Sequence, residues 1–237
     1  MMVRRTKQEA YETRENLLDA AERVFMERGV SRTSLEQIAQ AAGVTRGALY
    51  WHFENKSDLF NAMVDRVRMP MERSFYQLLD STDSLDDLQA LCINCLIDMH
   101  HDEQMRRVYT ILLLKCEYVA DMAGLVEREH TARAEVIRSL TDFFARLHGN
   151  GRILPAAGAS PRTLALGLYG LMRGLHTDYL RAPDEYDIEQ DAAFLVGHFF
   201  TALRPPHRLN LGPNPGPNPD VASKSPKKPQ GLPIHRI

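Results

Sequence analysis

The sequence predicts an all-α protein: an N-terminal three-helix helix-turn-helix unit followed by a larger helical domain. Three observations predict it. Apolar residues recur at three- and four-residue spacing through nearly all of the first 204 positions. Ser, Thr and Asn stand where those runs begin, and Gly stands where several end. No stretch alternates β-branched and polar residues as a strand would.

The first helix follows from Leu17, Leu18, Ala21, Val24 and Phe25, one apolar stripe. Thr13 is placed to cap its start and Gly29 to end it. In RTSLEQ, Thr33 and Ser34 each have Glu36 or Gln37 three residues on, the capping-box spacing. The second helix then buries Leu35, Ile38, Ala39 and Ala42, and Gly43 permits a sharp turn. Thr45 caps a short third helix through Phe53. Asn55 caps a fourth, with Asp58 in its first turn, and Pro70 is expected to end or kink it.

From Ser84 onward, helices are expected near 84–101, 104–115, 118–148, 161–181 and 187–203, with a loop over 155–161. Nine of the chain's 13 prolines lie beyond Arg204. Residues 205–237 are therefore read as a disordered Pro-rich tail without a core. The domains predicted are 1–60, 61–204 and this tail.

Helix, glycine turn, short helix is the helix-turn-helix pattern. On the third helix Leu49 and Phe53, four apart, point inward. Thr45, Arg46, Tyr50, Trp51 and His52 are left outward, a set of hydrogen-bond donors and one cation suited to phosphates and base edges. Gly47 has no side chain to hold a duplex off. Lys56 starts the fourth helix, where the dipole favours a phosphate, and Thr33 and Ser34 stand likewise at the second. A double-stranded DNA partner follows from this set.

Charge is unevenly divided. Residues 1–73 carry 12 basic and 11 acidic side chains, residues 74–204 carry 12 and 19, and the tail carries five and one. A polyanion is expected to meet an end of the chain, not its middle. No run of ~18 apolar residues predicts a membrane span. The N-terminus lacks the apolar stretch of a secretory signal. Three cysteines make no disulfide framework, and a reducing cytoplasm is the expected compartment. No nucleophile elbow, phosphate-binding glycine loop or zinc motif suggests an enzyme or a cofactor.

Residues 4–60, RRTKQEAYETRENLLDAAERVFMERGVSRTSLEQIAQAAGVTRGALYWHFENKSDLF, resemble the DNA-binding domain of the TetR family of bacterial transcriptional regulators. The segment TRGALYWHF with Asn55 and Lys56 is highly specific, and with the opening RRTK it looks most like the AcrR-type branch, which represses multidrug efflux genes. The resemblance implies a homodimeric repressor on a palindromic operator, released by a small apolar or aromatic effector. Carried onto this chain, the operator-contacting residues are Thr33, Ser34, Thr45, Arg46, Gly47, Tyr50, Trp51, His52 and Lys56. Arg4, Arg5 and Lys7 form an arm near phosphates or the minor groove. The effector residues expected are Leu91, Cys95, Tyr109, Leu112, Leu113, Val136, Leu140, Leu168, Met172 and His176. The dimer seam is expected along 164–180 and at Phe194, Val196, Gly197, Phe199 and Phe200.

Two constellations keep other readings open. Cys92 and Cys95, in C-x-x-C spacing on one helix face, suit metal or redox use, but with no second pair and no βαβ pattern they read first as small buried hydrophobes. His100, His101, Asp102 and Glu103 are adjacent and do not converge on an ion from a helix. The rival to an effector-released repressor is a constitutive or protein-partner-controlled DNA-binding dimer; a redox sensor through Cys92, Cys95 or Cys116 is a further one.

Overall fold

The computed structural model describes residues 7–116, 123–153 and 158–204. Among them lie nine α-helices, one 3-10 turn at Pro183–Glu185 and no strand. The helices are α1 Lys7–Arg28, α2 Leu35–Ala41, α3 Arg46–His52, α4 Lys56–Ser81, α5 Leu85–His101, α6 Glu103–Leu114, α7 Ala123–Gly149, α8 Pro161–Arg181 and α9 Ile188–Thr201. The expected arm residues Arg4 and Arg5 and the expected tail lie outside the described residues, as does the start of the helix expected at 118.

Local signals set most boundaries. Ser34 caps α2 through a complete capping box with Gln37. Thr45 Oγ1 accepts the Ala48 N–H at 3.2 Å, and Asn55 Oδ1 accepts that of Asp58 at 2.9 Å. Gly29 and Gly43 turn the chain at φ +82° and +68°, values other residues resist.

One expectation fails, and of the two outcomes expected at Pro70 one is excluded. Thr13 does not start α1, which begins six residues earlier; its hydroxyl donates to Glu9 O within the helix at 2.7 Å. Pro70 does not end α4, which continues to Ser81. Proline forfeits one backbone hydrogen bond, yet Val67 and Leu79 on either side of it are buried in the core, and that packing carries the helix through.

One hydrophobic core runs through the described chain. At its N-terminal end, Leu17, Leu18 and Phe25 of α1 meet Ile38, Leu49, Phe53 and Phe60, all buried, with the Phe25 and Phe60 rings 5.8 Å apart. Farther along, α7 packs most extensively on α8, and α5 on α9. The join between the two ends is polar. Glu22 of α1, side chain 2% exposed, takes hydrogen bonds from Gln104 and Arg107 of α6, each at 3.0 Å, and from Arg66 of α4. Arg66 also pairs with Glu15 at 3.1 Å and Asp19 at 2.9 Å. A carboxylate so deeply buried is tenable because its acceptors are satisfied by charged donors.

Candidate nucleic-acid interface and internal cavity

On α3, Ala48 and His52 are half-buried, and the expected outward donor His52 has its Nε2 turned in from solvent. Leu49 and the C-cap Phe53 are buried, and Tyr50 and Trp51 are 42% and 72% exposed. Large apolar rings are rarely left so open without a partner. Trp51 stacks edge-on against His52, with centroids 4.6 Å apart. Arg46 lies over the Tyr50 ring at 5.3 Å and pairs with Glu36 at 3.1 Å. An exposed pair of this kind contributes about 0–1 kcal/mol, whereas a bidentate arginine on guanine gives about 1–3 kcal/mol. Giving up Glu36 for a stronger partner would therefore cost Arg46 little.

Gly47 is exposed in an ordinary helical conformation, and a Cβ there would come no nearer than 4.0 Å to any neighbour, Thr45 Oγ1. Among the described residues, nothing calls for glycine at this position. Ser34 and Thr45 are exposed at the N-termini of α2 and α3.

Thr33 and Lys56 are placed differently from expectation. Thr33 is 3% exposed; its hydroxyl donates to Gly29 O at 2.7 Å and its N–H to Val30 O at 3.3 Å, so it has no donor left to offer outward. Lys56 Nζ donates to Val30 O and Thr33 O, each at 3.2 Å. Two of its three protons thus fasten the α1–α2 turn onto α4. Lys7 lies exposed in the first turn of α1.

The larger end holds a cavity of about 210 Å³, partly open to solvent, among α4, α5, α6, α7 and α8. Of the expected effector residues, Leu91, Cys95, Tyr109, Val136, Leu140, Leu168, Met172 and His176 line it. Leu112 and Leu113 do not: α6 turns its Tyr109 toward the cavity, Leu112 is buried in the core and Leu113 packs against it. Sequence reasoning missed Arg68, Met71, Glu72 and Phe75 of α4, a helix it expected to end or kink at Pro70. It also missed Glu129, Ala132 and Arg133 on α7, and Tyr169 and Arg173 on α8.

The walls are mostly apolar with polar groups at a few points, the usual constitution of a small-molecule site. Arg68 is buried and pairs with Glu129 and, at 3.8 Å, with Glu72. Burial holds the Cys95 thiol up at about 11 and that of Cys92 up at about 12, and it raises the Tyr109 hydroxyl as well. Burial, with Arg173 nearby, pulls His176 down to about 4, so its imidazole is neutral at physiological pH. Tyr109 and His176 face each other with ring centroids 6.2 Å apart.

The other candidates disperse. His100 packs on the Tyr179 ring while His101 reaches Glu189 at 2.9 Å. On α9, Phe194 is 68% exposed and Leu195 37%, but Val196 and Phe200 are wholly buried in this chain's own core, so the expected seam loses those two. Phe199 packs against Gly167 of α8. No helix among the described residues is long and apolar enough to cross a membrane.

Residues 17–63 match the sequence profile of bacterial regulatory proteins of the tetR family. Residues 83–205 match the C-terminal region of MAATS-type transcriptional repressors. The chain is 35% identical over 209 residues to the HTH-type transcriptional repressor BepR of Brucella suis, a span covering 87% of this chain and 99% of that one. It superimposes on NalD, the secondary repressor of the MexAB-OprM multidrug efflux pump in Pseudomonas aeruginosa, with a TM-score of 0.76 and 40% identity over 84% of this chain and 98% of the other. On the complex of SmeT with triclosan the TM-score is 0.73, at 31% identity over 88% of this chain and 98% of that one.

Proposed function

Because the chain belongs to the TetR family of bacterial regulatory proteins, we propose that it is a DNA-binding transcriptional repressor of a multidrug efflux operon, released by a small hydrophobic or aromatic effector. The observation that carries this reading is the division of α3: two aromatic rings and an arginine held outward on a helix whose other face is locked in the core. The operator surface proposed is Ser34, Thr45, Arg46, Gly47, Tyr50, Trp51 and His52, with Thr33 and Lys56 supporting the turn behind it. Residues 1–60 are the DNA-binding domain and 61–204 the effector and dimerisation domain, joined by α4, which spans that boundary.

The repressor acts as a homodimer on a palindromic operator. Phe194 and Leu195 supply exposed apolar surface on α9, and Gly170 and Gly174 leave α8 open to close approach from a second copy. The dimer sets its two α3 helices roughly 34–36 Å apart, one turn of duplex.

Release follows from α4. Its Arg66 is tied to α1 and its Arg68 to Glu129 on α7 at the cavity wall, two residues apart on one rigid element. An effector that fits the cavity better when Arg68 and α7 have moved shifts the population toward dimers with the wrong spacing. The relatives fit this reading: SmeT, a repressor of a multidrug efflux pump, was solved with triclosan bound.

The test is binding of the purified protein to the DNA upstream of its gene at fixed salt, with and without a panel of hydrophobic antimicrobials. Tight binding abolished by one compound class, and lost in Arg46→Ala and Tyr50→Ala, is the expected result. Wild-type affinity in both variants would overturn the operator surface; binding that no compound relieves would favour a constitutive or partner-controlled dimer.

A further inference from the structure

Five side chains on the cavity wall carry soft-metal donors, Met71, Cys92, Cys95, Met172 and His176, and three of them from three helices come together: Met71 from α4, Cys95 from α5 and His176 from α8. The Cys95 thiol points its proton at Met71 Sδ, 3.2 Å away, and lies 3.9 Å from His176 Nε2. An ion at ~2.0–2.3 Å from sulfur or nitrogen touches Cys95 and either neighbour across such spacings. Thiol, thioether and imidazole together form a set that selects Cu(I) over harder ions. The nearby carboxylates do not compete, because Glu129 and Glu72 are engaged with Arg68.

We propose that Cys95, Met71 and His176 form a binding site for one monovalent soft metal ion, Cu(I), inside the cavity. This goes beyond the organic effector and stands on the three donor atoms, whether or not the chain binds an operator. Charge decides between ions. Cys95 enters as a neutral thiol; it releases its proton to solvent, its thiolate bonds Cu(I), and Met71 and His176 donate lone pairs. The ion replaces the proton one for one, so the site gains no net charge and the metal keeps its oxidation state. A divalent ion would leave an uncompensated positive charge in a low-dielectric site beside Arg68 and Arg173, at a severe cost.

The test is anaerobic titration of the full-length protein with Cu(I) supplied as its coloured bicinchoninate complex, following loss of the colour. One ion taken per chain is expected, with Zn(II) failing to compete. Cys95→Ser and Met71→Leu should each weaken uptake by about a hundredfold, at least what altering an outer-shell partner does, while Cys116→Ser keeps wild-type uptake. Met71→Leu conserves volume and keeps the fold, which a circular-dichroism melt checks, so its loss reads the thioether. No uptake by wild type, undiminished uptake by Cys95→Ser or Met71→Leu, or abolition by Cys116→Ser would overturn the site.

Discussion

The outer face of α3 and the inner wall of the cavity are built on opposite plans. On α3 the residues that reach outward are neighbours in the chain, Arg46, Gly47, Tyr50 and Trp51, held by the burial of Leu49 and Phe53. The cavity draws its wall from Arg68 through His176, on five helices. A duplex is large and regular, and one rigid rod can offer it several groups at once. A small molecule has to be surrounded, and only distant parts of a chain can approach it from all sides. An outward surface can therefore be written locally, while an enclosure cannot.

The sharpest way to break the comparison is to cut the polar join between the two regions. Glu22→Ala removes the carboxylate shared by Arg66, Arg107 and Gln104, although Arg66 keeps Glu15 and Asp19, and about 3 kcal/mol of stability should be lost with those charge-assisted hydrogen bonds. Urea unfolding measures it; a loss under about 1 kcal/mol, the worth of a surface pair, would mean that the two ends are energetically independent.

Acid probes the cavity through His176. Its folded-state pKa, about 4, lies below the ordinary 6.5, so the unfolded chain binds the extra proton between those values. Stability is full above pH 6.5 and falls as pH drops toward 4. At roughly 1.4 kcal/mol per pH unit, the loss amounts to on the order of 3 kcal/mol. Urea midpoints taken from pH 7 to 4.5 should show the slope in wild type and a flatter one in His176→Gln. Equal slopes would mean the imidazole is not held neutral by the cavity.

The smallest expected effect is the most discriminating for α3. Gly47→Ala should raise stability by about 0.5–1 kcal/mol through helix propensity. It should also lower operator affinity by about tenfold, which is about 1.4 kcal/mol. A thermal melt and fluorescence anisotropy read the two signs separately. Unchanged affinity would remove the argument that DNA approaches the backbone there.

What the sequence made legible follows the same division. The caps at Ser34, Thr45 and Asn55 and the turns at Gly29 and Gly43 are decided within four residues, and each could be read directly. Lys56 could not: its partners, Val30 O and Thr33 O, lie 26 and 23 residues away. Pro70 misled because local propensity yields to packing that the helix meets elsewhere. Periodicity put Leu168 on an apolar stripe, but did not tell whether inward faces close up or leave a gap. Arg68 and Glu129 pair across α4 and α7 from positions 61 residues apart, which no local pattern marks.

Glu22 also bears on how such proteins could exchange parts. A hybrid that takes α1–α3 from one member and everything after from another carries Arg66, Gln104 and Arg107 in the recipient half. Unless the donated half brings a carboxylate to the place of Glu22, Arg107 loses its pairing with α1, and Arg66 keeps only what stands at the places of Glu15 and Asp19. Recombination between relatives is thus filtered at one position of α1, far from both the nucleic-acid face and the cavity.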